Sequence, residues 1–84
     1  MYEQKMKNAN LKVTRLRLKV IEYMARYFQH GVTVESFYLF LMKQNESMTI
    51  STLYRILREF AFAGIVTTLG NDKKHYYQLV LIED

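Results

Sequence analysis

Ser51, Tyr54, Arg55 and Arg58 sit within one stretch, Thr49–Gly64, which reads TISTLYRILREFAFAG. At about 100° per residue in a helix, Ser51, Arg55, Arg58 and Phe62 share one side, with Tyr54 at its border. Ile50, Leu53, Ile56, Leu57 and Phe60 fall on the other side and need a core. Arginine donates to guanine edges, hydroxyls bond to phosphate or base, and apolar groups meet the thymine methyl. A helix with that outer face is equipped to enter the major groove of DNA. Thr49 is a good N-cap and Gly64 a good residue to follow the last turn. Taken alone, the stretch also reads as an ordinary amphipathic helix with a solvated face.

Other chemistries find little support. The chain has no cysteine and two histidines, His30 and His75. A metal site needs three or four converging ligands, so neither metal nor cofactor is expected. There is no glycine-rich phosphate loop, no nucleophile paired with a base, and no carboxylate pair of evident purpose, which argues against an enzyme and gives no small-molecule substrate. The formal net charge is +4, and it is unevenly placed. Residues 1–28 carry seven basic against two acidic side chains, a net +5; the remainder carries five against six, a net −1. A basic block is often only a solvated face. It becomes a phosphate footprint if the fold brings it beside the arginine-bearing helix.

The elements that must position these residues follow from periodicity. Residues 2–9 have weak helical character and read as an arm or short helix. Thr14 caps the first firm helix, whose buried face is Leu18, Ile21, Ala25 and Phe28, widened by Val20 and Met24. Thr33 caps the next, with Glu35 in its first turn and Val34, Phe37, Tyr38 and Leu41 inward. Lys43–Met48 is a polar link to the helix at about 50–63. After Gly64 the period changes to two. Ile65–Leu69 and His75–Val80 are β-like runs around the turn signal Gly70-Asn71-Asp72. The chain of 84 residues suits one domain, 1–84, mainly α with a small β-hairpin: a winged helix–turn–helix of three helices and a two-stranded antiparallel wing.

Several segments then resemble the ferric uptake regulator (Fur) family. Lys12-Val13-Thr14-Arg15-Leu16-Arg17 is similar to the family's opening K-x-T-x-x-R. Thr33-Val34-Glu35-Ser36-Phe37-Tyr38-Leu39-Phe40-Leu41 resembles its second helix. Ile50-Ser51-Thr52-Leu53-Tyr54-Arg55-Ile56-Leu57 with Ala63-Gly64-Ile65-Val66 resembles its A-T-V-Y-R-x-L … A-G-I-V segment, and Tyr76-Tyr77-Gln78-Leu79 the end of its wing. The resemblance spans roughly residues 10–80. It implies double-stranded DNA as partner, base contacts from Tyr54 and Arg55 with Thr52 in support, and Lys12 and Arg17 near DNA. Ser51 and Arg58 join the base-facing set from their place on the helix. Thr14, Arg15, Lys73 and Lys74 join the backbone set, the last two from the wing at 70–75, beside the backbone or minor groove. Three departures stand out. Gly31 takes the place of the family's hinge histidine, Gln78 that of an acidic metal ligand in the wing, and Leu16 that of a common proline. The family's second domain, which dimerises and holds metal, would begin near Asp84. The expectation is therefore the DNA-binding half without metal sensing.

Two functions from different classes fit these observations. The first is a sequence-specific transcriptional regulator. The second is a protein-interaction module of the same fold that modulates another regulator or complex. The run Leu79-Val80-Leu81-Ile82 does not alternate, so it is expected to be covered on both faces, by this domain or by a second copy in a homodimer. No apolar run reaches membrane-spanning length and no signal peptide opens the chain, so a cytoplasmic protein is expected.

Overall fold

The structure, a computed structural model, describes residues 2–70 and 74–81. Four helices precede a hairpin: α1 Tyr2–Asn8, α2 Arg15–Tyr27, α3 Val34–Lys43, α4 Ile50–Phe62, β1 Val66–Gly70 and β2 His75–Leu79. The three expected helices are α2, α3 and α4. Each starts where a threonine side chain accepts from the backbone N–H three residues on: Thr14 from Arg17 at 3.3 Å, Thr33 from Ser36 at 3.1 Å and Thr49 from Thr52 at 3.1 Å. Such a cap stabilises a helix by about 1 kcal/mol over alanine.

Three helices stop in the same manner. At the end of α4, Gly64 takes φ +75°, its N–H donates to Ala61 O and the Ile65 N–H donates to Phe60 O at 2.8 Å. Asn45 repeats this after α3 at φ +58°, with Glu46 N–H on Leu41 O. Asn10 repeats it after α1 at φ +61°, with Leu11 N–H on Met6 O. The left-handed residue reverses the chain while leaving few terminal carbonyls without a donor.

The segment at residues 2–9 is a docked helix rather than an arm. Met6 is fully buried and joins Val20, Met24, Phe37, Leu41, Leu53, Leu57, Phe60 and Ile65 in the core. The Tyr2 hydroxyl donates to Val80 O at 2.8 Å, which pins α1 beside the end of the hairpin.

The buried face of α2 differs from the expected stripe. Val20, Ile21 and Met24 are buried, while Leu18 is 38% exposed and Ala25 lies at the surface. Aromatic packing against α3 accounts for the rotation. Tyr23 and Tyr27 stand 5.2 and 5.1 Å from the Phe40 ring, and Phe28 stands 5.1 Å from both Phe37 and Phe40. Rings cover more area than one leucine and gain from edge-to-face geometry, so this face turns toward α3 and Leu18 turns out. Ile50, expected inward, is exposed in the first turn of α4; burial on that helix begins at Leu53.

The hairpin pairs Val66 with Leu79 through to Gly70 with His75. Gly70 has φ +131°, and a Cβ there would collide with the Lys74 carbonyl, so the turn requires glycine. Strand β2 is also tied to the loop before α3: Val32 and Tyr77 exchange both backbone hydrogen bonds, at 2.9 and 2.8 Å. Within one copy the run at the end of the chain is only partly covered. Leu79 is buried and Val80 half-buried, but strand pairing ends at Leu79 and Leu81 is 84% exposed. Ile82 and the turn residues Asn71, Asp72 and Lys73 lie outside the described residues. No helix among the described residues is long and apolar enough to cross a membrane.

Candidate nucleic-acid interface

Helix α4 buries Leu53, Ile56, Leu57 and Phe60, which turns Ser51, Tyr54, Arg55 and Arg58 to the surface. Phe62 continues that stripe at 88% exposure. Thr52 is half-buried, and its hydroxyl lies 3.0 Å from that of Thr49, which places it in the cap rather than on the outer face. The Arg58 guanidinium sits 5.7 Å from the Tyr54 ring centre, a cation–π arrangement. No ion pair among the described residues engages Arg55 or Arg58.

A cleft of about 730 Å³ opens beside Tyr54, between the first turn of α3 and the hairpin. Tyr77 lines it from β2 and is itself buried. Burial is the main cause that holds the Tyr77 phenol above its ordinary pKa. Tyr54 pushes the same way, and Arg58 opposes it. Burial likewise raises the Tyr2 phenol. Lys74, exposed, lies at the hairpin end of this cleft, while Lys73 is among the residues not described.

The N-terminal candidates are disposed differently. Arg17 is largely buried; its guanidinium binds the Glu59 carboxylate of α4 at 3.0 Å and donates to Lys12 O at 2.9 Å. Arg15 reaches Glu46, in the loop before α4, at 3.3 Å, and the second oxygen of that carboxylate is buried without a partner. The Thr14 hydroxyl is the N-cap of α2. Lys12 keeps an exposed side chain. The basic block is therefore brought beside α4, but both of its arginines there turn onto acidic groups of the protein. Glu46 and Glu59 lie 31 and 42 positions away in sequence, so no local pattern announces them.

The residues at the family's metal-ligand places do other work here. Gln78 donates to Gln29 O at 2.9 Å and ties the wing to the end of α2. His30 is exposed, and Gly31 takes φ +104° beside it. Among the described residues no three His, Cys, Asp or Glu side chains converge.

Helices α3 and α4 joined by a short link, with an antiparallel hairpin behind them, make a winged helix–turn–helix. The family described as the ferric uptake regulator family matches residues 8–83, and the chain belongs to it. It is 44% identical over 62 residues to the ferric uptake regulation protein of Yersinia pestis and 42% identical to that of Escherichia coli K12. Each match covers 74% of this chain and 42% of the relative, so the matched segment spans less than half the length of these curated relatives. Among solved structures, the ferric uptake regulator of Vibrio cholerae superposes with TM-score 0.83 at 33% identity, over 96% of this chain and 63% of the other. That work describes a rearrangement of DNA-binding domains in the Vibrio cholerae protein. The Pseudomonas aeruginosa regulator, solved with manganese, superposes with TM-score 0.80 at 29% identity, over 92% of this chain and 58% of the other.

Proposed function

We propose that this chain is the DNA-reading part of a transcriptional regulator, with residues 1–84 working as one winged-helix unit. The observation that carries the reading is the outer stripe of α4. Ser51, Tyr54, Arg55 and Arg58 are exposed together, with a full apolar face beneath and no acidic partner on either arginine among the described residues. In this reading α4 lies in the major groove. Arg55 and Arg58 donate to base edges, Tyr54 and Ser51 contact bases beside them, and Thr52 holds the first turn. Lys12 and Arg15, with Lys73 and Lys74 of the wing, approach phosphates. Family membership and the DNA-binding domains described for the Vibrio cholerae protein support this assignment.

Binding to duplex fragments as a function of salt tests it. Log K is expected to fall with log salt at about −0.9 per phosphate contacted. Folded protein that binds no duplex at about 50 mM salt, the low end of that dependence, would instead favour the interaction-module function.

One winged helix reads a short site, and two reading helices one DNA turn apart read a longer one. We propose that two copies bind together, partly through the end of the chain, where Leu81 stands exposed beside Leu79, Tyr2 and Met24. Sedimentation of wild type and Leu81→Asp with a palindromic duplex checks this. Wild type is expected to load two copies per site and the variant one; one copy for both refutes the pairing.

A further inference from the structure

We infer that Glu35 of α3 is a specificity-determining residue for base recognition: its carboxylate, set across a small pocket from the first turn of α4, accepts from the N4 amino group of a cytosine. This inference rests on the DNA-reading function proposed above. Glu22, Glu46 and Glu59 each meet a basic side chain, at 4.0, 3.3 and 3.0 Å. Glu35 does not. It is exposed, and among the described residues no ion pair or side-chain hydrogen bond engages it. With Val34 it lines one side of a pocket of about 350 Å³, and Ile50, Ser51 and Tyr54 of α4 line the other. It also lines the larger cleft beside Tyr54. Ser51 and Tyr54 belong to the outer stripe of α4. Ile50 is apolar, yet 40% exposed. The first turns of α3 and α4 therefore share a pocket with an unpaired carboxylate, a hydroxyl, a phenol and an open aliphatic side chain, at the edge of the reading face.

A duplex offers a carboxylate few partners. Phosphate oxygens repel it. In the major groove guanine N7 and O6, adenine N7 and thymine O4 are acceptors, and a carboxylate has no proton to give them. The donors are cytosine N4 and adenine N6. Adenine sets its N7 acceptor beside the amino group, whereas cytosine sets its apolar C5–H edge there. A carboxylate flanked by an exposed isoleucine suits cytosine: Glu35 takes the amino hydrogen and Ile50 covers the C5 edge. The same charge refuses phosphate and the other bases at this point, so Glu35 discriminates by exclusion as well as by contact. Arg55 and Arg58 attract the duplex wherever it lies; Glu35 limits where it can lie. An acid in the first turn of α3 also suits the helix dipole, a role that needs neither the pocket nor Ile50.

Glu35→Gln keeps the shape of the side chain, and a cooperative thermal transition close to that of wild type checks the fold. Preferred sites are selected from random duplexes by both proteins. Affinities are then measured on the wild-type site, on its single-base variants and on generic duplex. Wild type is expected to require cytosine at one position and to lose about 10-fold when that base pair is changed, the scale of a hydrogen bond to a charged group. Glu35→Gln should lose that requirement and admit adenine, since an amide both accepts and donates. Its affinity for generic duplex should rise, because one anion facing phosphate is gone. Ile50→Ala should lower the cytosine preference at the same position and leave generic affinity unchanged. A Glu35→Gln protein with the wild-type base profile overturns the inference. If it binds every duplex more tightly, Glu35 is a repulsive charge alone; if it binds as wild type does, Glu35 serves only the start of α3. A wild-type site with no cytosine requirement also overturns the inference and leaves DNA reading intact. Wild-type protein that selects no duplex overturns the DNA reading and this role together.

Discussion

The two cationic regions of the molecule hold their charge in opposite ways. In the N-terminal region, Lys5 donates to Gly64 O at 2.9 Å, Arg15 meets Glu46 and Arg17 meets Glu59. All three partners belong to α4 or flank it: the loop before its start, a point near its last turn, and the glycine that follows its C-cap Ala63. On α4 itself, Arg55 and Arg58 face outward. The basic block thus works as a clamp on α4, while α4 carries the cations that are open to a partner. Formal charge along a sequence counts both regions alike. Only the long-range acidic partners separate them, because a guanidinium hydrogen-bonded to a carboxylate has part of its charge and of its donors already engaged.

The largest effect expected from this contrast lies in the N-terminal scaffold. If α1 is a structural element that delivers Lys5 to the end of α4, then Met6→Ala should destabilise the protein by about 2–5 kcal/mol, the range for emptying a buried methionine site. Denaturant unfolding measures it. A change below about 0.5 kcal/mol, typical of a surface site, would make α1 a dispensable arm and break the comparison at its base.

The next effect belongs to the outer stripe and should spare stability altogether. Arg55→Ala is expected to cost about 1–3 kcal/mol on a preferred duplex and to relax preference at one base position. Its unfolding midpoint should stay at the wild-type value, since the side chain is exposed and unpaired among the described residues. Competition across single-base variants of the site provides the measurement. Uniform weakening on every sequence would move Arg55 from base reader to phosphate anchor.

Most of the fold was legible in local chemistry. Thr14, Thr33 and Thr49 announced three helix starts, Gly64 one helix end, and the change of period after it the hairpin. Each of these signals is complete within four or five residues. What escaped depended on partners far away in sequence. Met6 reads as one apolar residue in a polar segment until Val20 and Met24 are folded around it. The aromatic set Tyr23, Tyr27, Phe28 and Phe40 turns α2, and its members come from two helices. Asn10 and Asn45 carry a helix-stop signal of the same kind as Gly64, because asparagine tolerates the left-handed region, but the signal is weaker in asparagine than in glycine. At the site, the stripe on α4 follows from its 3.6-residue period alone. The pairing of Arg15 with Glu46 and of Arg17 with Glu59 requires the tertiary fold.

The smallest effects separate two residues that the sequence places together. Lys12 and Arg17 lie five positions apart, and both stand in the set expected near DNA. In the structure the largely buried Arg17 donates to the backbone carbonyl of Lys12 and to Glu59, whereas the Lys12 side chain is exposed. Arg17→Ala should therefore lower stability by about 1–2 kcal/mol, the worth of a charge-assisted hydrogen bond in partial shelter. It should leave the salt slope of DNA binding unchanged. Lys12→Ala should do the reverse: stability within about 0.5 kcal/mol of wild type, all sequences weakened about equally, and a salt slope smaller in magnitude by about 1. Unfolding curves and a salt series on both variants decide the matter. A slope that falls in Arg17→Ala without loss of stability would mean that Arg17 leaves Glu59 for a phosphate when DNA binds. The clamp would then be a feature of the free protein alone, released on the DNA to add a cation to the backbone contacts.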